Sequence, residues 1–372
     1  MDRILFFMAC CLVGMAAVVY AGSGGKEAAG DDLLSKAEKL HRKIITIDTH
    51  VDFETTLATP EHNPGVRLEK VKVDLVKMKE GGLDAVFFAV WTPQTELTEE
   101  NYEEAFELAM GKFNAVLRMC ASYNADLVEL ATTPDDIRRI KKGGKRAALI
   151  GVENGFPIGS DLSRLKYFYD LGARYVTITH MGHNQLGDSS DDRKEIPGSK
   201  YGGLSDLGKD VVREMNRLGM MIDVSHISRE SFYDIIGLTK APIIASHSGC
   251  RALCDVPRNL DDDQLKALAK NGGTVQIVGY GGYLKRPGKE ATLKDLADHI
   301  DYAVKLIGID HVGIGSDFDG GGGVPGFNDP SDCTNLTAEL MRRGYSNKDI
   351  EKIWGGNLLR VWREAIEVSE KP

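Results

Sequence analysis

The stretch Ile44-Ile-Thr-Ile-Asp-Thr-His-Val-Asp52 begins as a β-rich apolar run and ends on an imidazole and a carboxylate two residues apart. Alternate strand residues face the same side, so His50 and Asp52 point together from one strand end. Seven further runs repeat the design, at 83–91, 147–155, 173–180, 220–226, 241–248, 274–280 and 311–319. Most are nearly continuously apolar in their first half, as strands covered on both faces must be. Amphipathic stretches separate them. Residues 98–123 carry Tyr102, Phe106, Met110, Phe113 and Leu117 at helical spacing, with Glu99, Glu100 and Glu103 at the positive end of the helix dipole. Residues 207–218 and 260–270 follow suit, the latter led by Asp261, Asp262 and Asp263. Strands joined through helices pair in parallel. Eight such units favour a closed (β/α)8 TIM-type barrel over an open doubly wound sheet. Run after run ends in a residue able to bind metal or move protons: His50, Asp52, Glu153, His180, His226, His247 and Asp317. Barrel enzymes place their chemistry at these carboxyl ends.

The chain has 372 residues, 42% hydrophobic and 27% charged, with a formal net charge of -9. That balance is ordinary for a globular protein and argues against a nucleic-acid partner, which calls for a basic face. Residues 1–22 read as a secretory signal: Asp2-Arg3, an apolar run from Ile4 to Tyr20, and small residues at Val19 and Ala21. A retained N-terminal anchor is the competing reading, because the run is only slightly short of a membrane span. Residues 23–43 form a polar segment and lead-in helix, and 44–372 a single metal-dependent hydrolase barrel domain. Export to a periplasmic or extracellular location is expected, with no stable membrane anchor after signal cleavage. Outside the signal, Cys120, Cys250, Cys254 and Cys333 allow three full pairings or none.

The polar endings each admit a bland reading. Glu153 is either a salt-bridged rim carboxylate or a bridge between two cations, since an unpaired charge there is costly. His226 and His247 end consecutive strands, where neutral imidazoles suit zinc. Asp317 lies in Ser316-Asp-Phe-Asp-Gly320, which also reads as a turn whose carboxylates cap backbone amides; Asp319 is assigned to that capping. Tyr280 and Tyr283 read as rim packing or as part of a side-chain pocket, and the charged insertion 188–200 as a solvated rim loop.

These motifs carry a resemblance. Asp48-Thr-His-Val-Asp52, Gly151-Val-Glu-Asn-Gly155, Tyr175-Val-Thr-Ile-Thr-His180, Ile222-Asp-Val-Ser-His226 and Ser246-His-Ser248 occur in order. Arg258-Asn259, Gly313-Ile-Gly-Ser-Asp-Phe-Asp-Gly320 and Gly355-Gly-Asn-Leu-Leu-Arg-Val361 continue the series. The chain resembles the membrane (renal) dipeptidase family, peptidase family M19, related to the amidohydrolase barrels. The resemblance implies two Zn2+ per chain, one held by His50 and Asp52, the other by His226 and His247, with Glu153 bridging. It implies hydrolysis of a dipeptide by a metal-bridging hydroxide. Asp317 would shuttle the proton and help hold the substrate ammonium, His180 would hydrogen-bond the scissile carbonyl, and Arg258 would clamp the carboxylate. It also implies a homodimer. The mammalian C-terminal lipid anchor is not expected, since residues 367–372 carry no hydrophobic tail. Related amidohydrolases use His-x-His and often a carboxylated lysine where this chain has Asp52 and Glu153. The alternatives are another amidohydrolase-type activity, on N-acyl amino acids or lactams, and a non-catalytic exported metal- or peptide-binding protein.

Overall fold

In the computed structural model, residues 24–190, 200–286 and 289–369 are described. The signal segment expected at 1–22 and most of the insertion at 188–200 lie outside the described residues. Among the described residues nine strands form one parallel sheet: β1 (Ile47–Asp52), β2 (Ala85–Trp91), β3 (Val128–Leu130), β4 (Arg146–Glu153), β5 (Ala173–Thr177), β6 (Met221–Asp223), β7 (Ile244–Ser248), β8 (Thr274–Val278) and β9 (Val312–Gly315). Eight of them run β1-β2-β4-β5-β6-β7-β8-β9, and each corresponds to one of the eight expected runs. The ring is closed beyond the last strand by a parallel bridge between Val51 and Phe318. There the N–H of Asp52 donates to the Phe318 carbonyl and that of Asp317 to the His50 carbonyl, both at 3.0 Å.

The additional strand, β3, has a simple origin. β5 pairs with β4 only from Ile150 onward, so the earlier edge of β4 is open, and Val128, Glu129 and Leu130 pair with Arg146, Ala147 and Ala148. Three residues with one fully buried side chain carry no legible period.

Strand alternation divides the core into two layers. In β2 and β4, Val86, Phe88, Val90, Ala148, Ile150 and Val152 pack with the surrounding helices. Ala85, Phe87, Ala147 and Leu149 instead enter the cluster that contains Leu358, Val361 and Trp362 of the helix Asn357–Ser369. The same period carries Gly151 and Glu153 onto the side of Ala147 and Leu149.

The helices start where local chemistry dictates. Asp261 and Gln264 form a capping box at the helix Asp262–Lys270, and Thr98 caps Glu99–Arg118 by accepting from the N–H of Asn101. The helix Asp206–Leu218 ends on Gly219 at φ 72°, a left-handed turn that a side chain would oppose. The helix over 98–123 is α only to Arg118 and continues as a π turn, Met119–Tyr123. Among the described residues no helix is long and apolar enough to cross a membrane. The four described cysteines are all free thiols.

Candidate metal centre

Six side chains from five strand ends meet at the carboxyl mouth of the barrel. Glu153 ends β4 and is the hub. Its Oε1 lies 3.1 Å from His226 Nε2 and 3.3 Å from His247 Nε2, while its Oε2 lies 3.3 Å from His50 Nε2. His226 Nε2 and His247 Nε2 are 3.0 Å apart. Asp52 Oδ1 stands 3.7 Å from His50 Nε2, too far for a hydrogen bond. His180 Nε2 is 3.8 Å from Glu153 Oε1. The rings pack closely: His50 stacks on His247 with centroids 3.8 Å apart, and His180 lies 4.2 Å from His226.

Several positions rest on unusual backbone. Among the described residues five non-glycines have positive φ, and four of them, Asn154 (74°), His226 (68°), Asp317 (62°) and Asp319 (63°), lie just beyond strand ends at this mouth. Left-handed backbone at such residues costs of order 1–3 kcal/mol each and persists only where the surroundings enforce it. It turns His226 and Asp317 into the mouth after β6 and β9 have ended. Gly320 closes the other side: a Cβ there would stand 2.3 Å from Asp317 Oδ1 and 3.1 Å from Asp52 Oδ2. Asp319 takes the capping role expected of it, accepting from the N–H groups of Lys72 and Val73.

The donor set fits divalent metal. Among the described residues, His50 Nε2 and Asp52 Oδ1 are buried without a hydrogen-bond partner, an expensive state for two polar atoms aimed at one place. Zinc bonds of about 2.0–2.1 Å in tetrahedral array put neighbouring ligand atoms roughly 3.3 Å apart, close to the spacings around Glu153. Two overlapping groups bring one possible ligand atom from each member within 4.8 Å of the others: His50, Glu153 and His247; and Glu153, His180 and His226.

Charge in the cluster is strongly biased. Burial opposes ionisation of Glu153, but the surrounding imidazoles of His50, His180, His226 and His247 hold its carboxyl well below the usual range. Burial keeps His226 and His247 well below the ordinary imidazole value, Arg258 adding to the effect on both. Burial likewise lowers His180. Asp317 goes the other way: burial raises it well above the carboxylate range, opposed by His50 and reinforced by Asp52 and Glu153.

The cluster opens into a cavity of about 380 Å3, with Trp91, Met181, Tyr280 and Tyr283 in its wall beside the polar centre. Both tyrosines therefore line the cavity while also packing on each other, with centroids 4.7 Å apart. Arg258 is placed differently. It sits 5.4 Å from the Tyr283 ring, with its guanidinium donating to the Ser248 hydroxyl (2.7 Å) and the His247 carbonyl (2.6 Å), while Nε is buried without a partner. It is not itself a wall residue of the cavity. Trp91 and Met181 were not legible as cavity residues; Trp91 reads as the end of an apolar strand, and its T-shaped contact with His180 (5.6 Å) sets it at the mouth.

A parallel (β/α)8 barrel with a histidine and carboxylate cluster at its carboxyl mouth defines the class of barrel metal-dependent hydrolases. Residues 34–372 match the membrane dipeptidase family, peptidase family M19, and the chain belongs to that family. It is 35% identical over 355 residues to "Dipeptidase verJ" of Clonostachys rogersoniana, covering 92% of this chain and 89% of that one. The crystal structure of the probable dipeptidase PvdM from Pseudomonas aeruginosa superposes with a TM-score of 0.86 at 32% identity, covering 91% of this chain and 99% of that chain. A metallopeptidase from Rhodobacter sphaeroides, solved with a phosphinate mimic of the dipeptide L-Ala-D-Ala, matches with a TM-score of 0.77 at 26% identity, covering 87% and 99%.

Proposed function

We propose that this chain hydrolyses dipeptides with two zinc ions, His50 and Asp52 serving one, His226 and His247 the other, and Glu153 both. The observation that carries the reading is the division of the Glu153 carboxylate. One oxygen faces the pair His226 and His247 at 3.1 and 3.3 Å, and the other faces His50 at 3.3 Å. When bound, such ions acidify water and polarise a carbonyl.

The chain's own groups do the rest. His180 stands further from Glu153 than the other three imidazoles, at 3.8 Å, and lines the cavity; it suits a donor to the carbonyl oxygen as charge develops there. Asp317 borders the same cavity, and its raised carboxyl is fitted to hold a proton and pass it to the departing amine. Arg258, fixed by Ser248 and His247, supplies positive charge for the substrate carboxylate. A cavity of about 380 Å3 suits a two-residue substrate, in keeping with the dipeptide mimic held by the Rhodobacter relative.

Elemental analysis of the purified protein, together with turnover of dipeptides, tripeptides and N-acyl amino acids, tests the reading. About two zincs per chain, dipeptide cleavage and loss of activity on chelation are expected. Fast tripeptide cleavage or a preference for blocked amino termini would move the assignment to another amidohydrolase-type activity. Binding of dipeptides without release of amino acids would make the chain a binding protein. The 1–22 segment supports export of the enzyme, which N-terminal sequencing of the protein recovered outside the cytoplasm checks, and light scattering checks the homodimer.

A further inference from the structure

We infer that the hydroxyls of Tyr175 and Ser246 set the ring tautomers of His50 and His247, so that each presents a bare Nε2 to the Glu153 hub. The inference rests on the metal reading above and adds residues that do not themselves face the cavity.

Tyr175 is fully buried on β5, and its hydroxyl donates to the Thr49 carbonyl at 3.1 Å. A phenol has one proton, and a carbonyl can only accept. What the same oxygen offers His50 Nδ1, 3.0 Å away, is therefore a lone pair, and Nδ1 must carry the hydrogen. In a neutral ring that leaves Nε2 unprotonated, and Nε2 is the atom buried without a partner and directed at Glu153. The ring of Tyr175 reaches this depth only because β4 has a glycine opposite: a Cβ at Gly151 would stand 2.0 Å from the ring.

His247 is served by a different device with the same outcome. Asp223, at the end of β6, accepts the N–H groups of Ser225 and Ser246 on Oδ1, and the hydroxyls of Thr177 and Ser246 on Oδ2. The Ser246 proton is thus committed to Asp223 at 2.6 Å, and its oxygen accepts from His247 Nδ1 at 2.8 Å. Nε2 of His247 is left bare, 3.3 Å from Glu153 Oε1. Partners of this kind fix a ligating histidine's tautomer and orientation, and their loss typically costs about 10–100-fold in metal affinity. Tyr175, Ser246 and Asp223 are positioning residues: they act through the two imidazoles.

The experiment uses the full-length zinc-loaded protein with 15N-labelled histidine. Nitrogen spectra of the wild type should show hydrogen on Nδ1 and none on Nε2 for His50 and His247; Nε2 protonation in either ring overturns the inference without any variant. Tyr175→Phe and Ser246→Ala should each weaken zinc retention roughly 10–100-fold in competition with a chelator. Each should perturb the Nδ1 signal of its own ring while sparing the other. Wild-type zinc affinity in both variants, or equal disturbance of both rings by either change, also overturns it. Wild-type protein that takes up no divalent metal defeats the metal reading alone, since the ring spectra of that same sample still report the tautomers.

Discussion

The backbone N–H of Asp317 donates to the carbonyl of His50 at 3.0 Å, so the residue proposed to carry the proton and one proposed to hold metal are joined by a main-chain hydrogen bond. This bond belongs to the seam that closes the barrel, where Asp52 also donates to Phe318. The φ of 62° at Asp317 then turns its carboxyl back over the cluster. Fold closure and the juxtaposition of the two groups are one event.

Asp317→Asn should separate chemistry from metal binding. The amide keeps the shape of the side chain but cannot take up and release a proton, so kcat should fall by roughly 10²–10⁴-fold, the usual worth of a positioned acid or base. Zinc content measured by elemental analysis should stay at the wild-type level. Equal loss of zinc and activity would reassign Asp317 to metal binding.

Glu153→Gln should do the reverse. Both oxygens of this carboxylate face imidazoles, at 3.1 to 3.3 Å, and replacing one by an NH2 group removes the charge and turns a donor toward them. Both equivalents of zinc should be lost together under mild chelation. Loss of one equivalent with firm retention of the other would show that Glu153 does not serve both.

Gly320→Ala tests how tightly the mouth is set. The added methyl would meet Asp317 Oδ1 at 2.3 Å, forcing that side chain to move, with the Asp52 carboxylate next in line at 3.1 Å. Displacement on the order of 1 Å in a catalytic group commonly costs about 10²-fold, so kcat/KM should fall by that order while the circular dichroism spectrum is unchanged. Wild-type turnover would mean that Asp317 tolerates displacement.

His41 governs part of the acid stability. Its ring is buried between the Gly81 carbonyl and the Thr337 hydroxyl. Burial lowers its pKa from 6.5 to about 4, the Gly81 bond opposing and Lys141 adding. The unfolded chain therefore takes the proton first. Stability from this residue is full above the ordinary value and is lost as pH falls toward 4, amounting to about 3 kcal/mol. In metal-free protein, urea unfolding at pH 7 and pH 4 should show a steeper decline for wild type than for His41→Gln; parallel declines would contradict it.

What the sequence made legible follows from the range of the interactions. The eight barrel strands were readable because burial on both faces leaves apolar runs, and β3 was not because it only fills the open edge of β4. Glu153, His226 and His247 stood out as polar endings on such runs, and the structure brings them within 3.3 Å of one another. The spacing of His50 and Asp52 put them on one strand end, a weak signal alone that gained meaning from the other polar endings. The division of the Glu153 oxygens, the relay through Tyr175 and the withdrawal of Arg258 from the cavity wall involve partners from separate strands and loops, and no local pattern encodes them. Trp91 is an ordinary apolar residue until the fold sets it against His180, and Met181 until the fold turns it to the cavity.

The seam between His50 and Asp317 has a consequence for how the protein comes into being. The chain emerges from the ribosome in order, and the two edges that must meet are separated by nearly the whole barrel sequence. A nascent chain released or stalled before β9 would possess all five proposed ligands and still lack the closing edge that sets His50 and Asp52 in place. His50 and Asp52 thus take their final place only when the segment after β9 docks against β1.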